Sequence, residues 1–87
     1  MNNKKTCYDY AIEFEHSFEN EQDDKIVDYF NKEVGKNAWG IARTGYILAL
    51  NNTFSKRGID YSIVGDWKSI SLAKRVKLVG KHLHYAA

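Results

Sequence analysis

Seven acids crowd one stretch of this chain: Glu13, Glu15, Glu19, Glu21, Asp23, Asp24 and Asp28, with Tyr8, Tyr10 and Tyr29 interspersed or flanking. Carboxylates mixed with tyrosines suit docking onto a basic protein, because charge steers the encounter and aromatic side chains anchor it. The residues expected to touch a partner are Tyr8, Glu15, Glu19, Asp23, Asp24, Asp28 and Tyr29. A charge-rich helix face that does no more than keep the chain soluble carries the same residues. Towards the other end, Lys74, Arg75, Lys77 and Lys81 form a basic run, backed by Lys68, that can neutralise phosphates. That run is the alternative face, for a nucleic acid.

Metal and nucleophile chemistry find less support. His82 and His84 stand two apart, which on a helix points them to different faces rather than giving the i, i+4 spacing of a helical zinc pair. With a single cysteine, and only His16 besides, a closed tetrahedral site lacks ligands. Cys7 and His16 are nine residues apart on one predicted helix, more than two turns, so they cannot touch. There is no Gly-x-Ser-x-Gly. Gly35, Gly40 and Gly45 lack the Gly-Lys-Ser/Thr ending of a phosphate loop. Neither an enzyme nor a cofactor is expected.

These charges are segregated along the chain. Residues 1–33 hold nine acids and four lysines, a net of −5, while residues 34–87 hold nine bases against Asp60 and Asp66, a net of +7. A bipolar chain can present opposite faces to different partners.

The elements that must position these groups read as helices. Thr6 and Asp9 have N-cap and N3 spacing. Cys7, Ala11, Phe14 and Phe18 then recur at i, i+4, i+7 and i+11, a helical stripe over about 5–19. In that stripe Cys7 is read as a small buried hydrophobe. Asp23 and Asp24 suit the start of a second helix, whose apolar face is Ile26, Val27, Phe30 and Val34, stopped by Gly35. A third helix, capped at Asn37 and running to about Arg57, is apolar on more than one face and should be central. Gly45 and Gly40 within it are read as allowing a close helix crossing. Gly58 followed by Ile59 fits a Schellman ending. Residues 60–68 read as a loop with a helical turn: Ile59, Tyr61 and Ile63 alternate, but no partner strand is expected. Leu72, Val76, Val79 and Leu83 predict a fourth helix over about 72–84, with the lysines on its other side. The Asn51-Asn52-Thr53 sequon falls inside the third helix and is discounted.

At 87 residues the chain is a single domain, read as 1–87. Hydrophobic residues make up 44% and aromatics 14%, enough for a small packed core, and proline is absent, which favours helix. One cysteine excludes an internal disulfide. Residues 1–15 hold no apolar run of signal-peptide type, and no stretch is long enough to span a bilayer, so a cytoplasmic chain without membrane contact is expected. The expected fold is all-α, a bundle of about four helices.

One pattern resembles a known family. Asp28-Tyr29-Phe30, Asn37-Ala38-Trp39-Gly40-Ile41-Ala42, Ala49-Leu50, Phe54 through Arg57-Gly58-Ile59, and Val76-Lys77-Leu78-Val79-Gly80-Lys81 together are similar to small bacterial immunity proteins. These are the MafI-like and contact-dependent-inhibition types. The likeness covers residues 28–83 and consists mainly of helix-packing residues. It implies a helical cytoplasmic protein that binds a cognate toxin directly, one to one, often over its active site. A nuclease toxin with a basic cleft would meet the acidic face, although a net positive charge departs from the acidic balance usual for inhibitors of basic nucleases.

Overall fold

Thr6 opens the first helix as its spacing predicts. Its hydroxyl accepts from the Asp9 N–H at 3.2 Å, and Asp9 Oδ2 accepts from the Thr6 N–H at 2.9 Å. Aspartate therefore completes a capping box usually closed by Glu or Gln. The computed structural model describes residues 4–37 and 40–86. Ala38 and Trp39, part of the expected start of the third helix, lie outside the described residues. The elements are α1 (Cys7–Phe18), α2 (Asp23–Glu33), α3 (Ile41–Lys56), β1 (Val76–Val79) and β2 (His82–Tyr85).

The expected all-α bundle of four helices does not form. Among the described residues, three helices and a two-stranded antiparallel sheet make a small α+β fold. The fourth helix is replaced by a hairpin in which Val76 pairs with Tyr85, Lys77 with His84, Leu78 with Leu83 and Val79 with His82. Two periods coexist in this stretch. The helical stripe needs Val79 inside, yet Val79 is 53% exposed, whereas Val76 and Leu83 are buried and Leu78 is half-buried, as strand alternation requires. Gly80 decides between them. Inside a helix it would cost about 1 kcal/mol relative to alanine. Here it takes φ +61° at the first position of a two-residue turn, with Lys81 at negative φ, the type II′ pattern that matches strand twist.

α3 is central, as expected. Ala49, Leu50 and Phe54 on α3 share a core with Ile26 and Phe30 of α2, and the Phe30 and Phe54 rings lie 6.0 Å apart. α1 crosses α3 at Gly45, where a Cβ would sit 2.5 Å from Tyr10 Cβ and 2.6 Å from the Cys7 carbonyl oxygen. Gly40 instead precedes α3 in open space. The Schellman ending forms: Gly58 N–H bonds to the Ser55 carbonyl at 3.1 Å and Ile59 N–H to the Phe54 carbonyl at 3.0 Å. Asn51, first residue of the sequon, is buried and donates to the Asp66 carbonyl at 3.0 Å.

Both sheet edges are held. On β1, the Asn31 side chain donates to the Val76 carbonyl and accepts from the Val76 N–H, each at 2.8 Å. On the other side, Asp60 bridges to β2, and the Leu83 N–H reaches the Asp60 carbonyl at 2.9 Å. Residues 60–68 otherwise stay a loop with a turn at 62–64, as expected, and within 59–63 Asp60 alone pairs with the unforeseen hairpin.

Candidate functional site

The acidic residues do not gather into one face. Glu15 accepts from Lys56 Nζ at 2.9 Å and from Asn52 Nδ2 at 3.2 Å. Asp23 takes Arg57 at 3.0 Å and Lys81 at 2.8 Å. Those two partners, Lys81 first, hold its carboxyl below the usual range. Arg57 also donates to the Phe18 carbonyl at 2.8 Å, so one guanidinium joins the ends of α1 and α3 to the start of α2. Glu13 pairs with Lys5 at 2.8 Å, and Glu21 accepts the Tyr29 hydroxyl at 3.0 Å. Tyr29 itself stacks on Phe18 at 5.2 Å. Glu19 lies 3.4 Å from His16. Asp24 and Asp28 stay exposed, with no ion-pair partner among the described residues. Two of the five acids predicted to meet a partner, Glu15 and Asp23, are thus occupied by bases from the second half of the chain.

The basic run is also redistributed, since it lies on no helix. Lys81 sits in the hairpin turn against Asp23, and Lys77 lies on the strand face opposite His84. Lys74 Nζ lies 5.1 Å above the Tyr85 ring, and Arg75 is exposed just before β1. A continuous basic helix face, on which the nucleic-acid alternative depended, is absent among the described residues.

A groove of about 560 Å³ lies between α1, α3 and residues 68–72. Ile47, Leu48, Ile70 and Leu72 give it an apolar lining, and Lys36, Arg43 and Lys68 supply charge. No Asp or Glu lines it among the described residues. Cys7 is half-buried at its edge rather than buried in the core. Tyr8, one of the residues expected to touch a partner, also lines the groove and is 69% exposed. Trp67, beside Lys68, is 74% exposed, with Lys68 Nζ 5.4 Å from its ring.

The cations play different parts. Arg43 is largely buried and fixed on Glu33, with Nε to Oε1 at 3.2 Å and a second donor to the Glu33 carbonyl at 3.2 Å. Lys36 shares that carboxylate at 3.0 Å but keeps its side chain half exposed. Lys68 is exposed and has no carboxylate partner among the described residues. Lys36 and Lys68 are therefore the cations a ligand can recruit without breaking a buried pair. Among the described residues no histidine or carboxylate lines the groove beside Cys7, Thr44 or Ser69.

Sequence reasoning missed the groove because Lys36, Arg43 and Lys68 lie on three separate segments, and no local pattern links them. Among the described residues, no helix is long and apolar enough to cross a membrane, and no three potential ligands converge on a metal. Comparison with family models, with characterised proteins and with solved structures returns no match.

Proposed function

We propose that this chain is a protein-binding domain of the immunity type, which captures a cognate toxin one to one in the cytoplasm and does so through the groove. The class rests on the resemblance over residues 28–83, although its last piece, residues 76–81, forms strand and turn rather than the helix that the resemblance implies. The surface rests on one observation: a cation-bearing, acid-free groove with an apolar lining, flanked by exposed Tyr8 and Trp67. Interfaces of this kind use aromatic anchors at the centre and charge at the rim. The partner it fits presents an apolar ridge bordered by carboxylates. This reading moves the interface from the acids of α1 and α2, which are mostly paired internally, to the opposite charge.

The test is protection. The chain is co-expressed with the domain encoded by the adjacent upstream reading frame as the candidate toxin, and survival and co-purification are measured. Tyr8→Ala with Lys68→Glu should abolish both, whereas Glu19→Lys with Asp24→Lys should leave them nearly intact. The reverse pattern returns the interface to the acidic side, and no protection by the native chain removes the immunity reading. A nucleic-acid reading keeps one support, the Trp67 ring beside Lys68, since exposed aromatics next to cations stack single-stranded bases. A low-salt mobility shift with single-stranded RNA, lost in Lys68→Glu, would favour it instead.

A further inference from the structure

His82 and His84 would diverge on a helix. A strand has period two, so β2 puts both imidazoles on one face while Leu83 between them points into the core. Their α-carbons are then about 6.6 Å apart, and two imidazoles at that spacing can reach one ion.

One of the two rings is also oriented. His82 Nδ1 lies 3.2 Å from Asp60 Oδ2. The carboxylate is well anchored: its other oxygen accepts from the Ser62 N–H at 3.0 Å, and the Asp60 backbone bridges to β2. With Nδ1–H donated to Asp60, the lone pair of His82 is left on Nε2, at the far side of the ring. A carboxylate behind a histidine whose other nitrogen is free is the outer-shell arrangement that fixes the tautomer of metal-ligating histidines and raises their basicity.

We propose that His82 and His84 form an open two-imidazole site for a borderline divalent metal ion such as zinc, nickel or copper(II), with Asp60 as the positioning residue. Imidazole suits these metals. No third protein ligand converges there among the described residues, so water completes the coordination and the site exchanges its ion rather than bracing the fold. The cation sharing that strand face is Lys77, directly across from His84, and it works against the ion.

The experiment is a zinc titration of the full chain near neutral pH, followed by the histidine ring resonances and by calorimetry. The ring signals of His82 and His84 should move together at one ion per chain, while those of His16, on α1, stay still. His84→Ala, an exposed substitution, should weaken binding about tenfold or more, and Asp60→Asn, which keeps both ligands, should weaken it by about tenfold. Binding unchanged in His84→Ala, or His16 shifting in step with the other two, would overturn the site. Native affinity in Asp60→Asn would overturn the role given to Asp60.

Discussion

Replacing Asn31 with alanine removes both hydrogen bonds that its side chain makes to β1. The lost bonds are two, each 2.8 Å long, and both end on the backbone of Val76, which is 2% exposed. Each is worth about 1 kcal/mol net, but a buried N–H or C=O left without a partner costs about 1–3 kcal/mol. The expected loss is about 2–4 kcal/mol, a large share of what a domain this size has. At about 4–8 °C per kcal/mol, the midpoint of thermal unfolding should fall by about 8–32 °C. Circular dichroism under heat and urea measures the loss, and hydrogen exchange at the Val76 amide localises it. Asn31→Asp should be similarly damaging, because a carboxylate can accept from the Val76 N–H but repels its carbonyl. Lys32→Ala, exposed on the next position, should change stability by no more than about 0.5 kcal/mol. An Asn31→Ala variant within that same margin, with unchanged exchange at Val76, would refute the clamp.

Three further outcomes follow from the packing and the charges. Gly45→Ala should destabilise the domain by about 1–3 kcal/mol in chemical denaturation, since the new methyl meets the backbone of α1 rather than a flexible side-chain end. Leu50→Ala should cost about 2–5 kcal/mol, and Leu48→Ala clearly less, because Leu50 is fully buried while Leu48 is half-buried beside the groove. The Asp23 carboxyl is held below its unfolded value by Lys81 and Arg57, so its contribution is present above about pH 4 and is lost as pH falls through the lower folded value; Arg57→Met should flatten that acid limb of a stability–pH curve.

The first three helices were legible because their signals are local. Thr6 and Asp9 cap α1 across three residues, Asp23 and Asp24 open α2, and Gly58 closes α3 with bonds only three and five residues long. The hairpin was not, because Leu72, Val76, Val79 and Leu83 satisfy a helical period while Val76, Leu78 and Leu83 satisfy a strand period in the same residues. Short apolar runs do not separate these periods by themselves. The separating facts are tertiary: Asn31 offers an amide to the edge of β1, and Asp60 offers its backbone to β2. Gly80 was the local clue, a glycine followed by one residue between two alternating runs. The helical reading also sent His82 and His84 to different faces, which hid their shared side.

The segregation of charge along the chain has its meaning inside the fold. Asp23 and Lys81 are 58 residues apart, Glu15 and Lys56 are 41 apart, and Asp23 and Arg57 are 34 apart, yet each pair is in contact. Acids in the first half meet bases in the second because α3 and the hairpin turn close against α1 and α2. A sum of −5 followed by +7 is therefore largely a record of which segments pack together. It overstates the surface field, because paired charges cancel within a Debye length of about 8–10 Å. What stays unspent differs from what the sums suggest. Asp24 and Asp28 remain on α2, each near a lysine of the same helix, Lys25 or Lys32. Lys68, Arg75 and Lys77 remain on the loop and hairpin, with no carboxylate partner among the described residues. Unpaired positive charge thus lies beside the groove, at Lys68, and on the hairpin, at Arg75 and Lys77. On the reading proposed above, Lys68 would face a carboxylate-bearing surface, the opposite of the basic cleft that the linear pattern suggests.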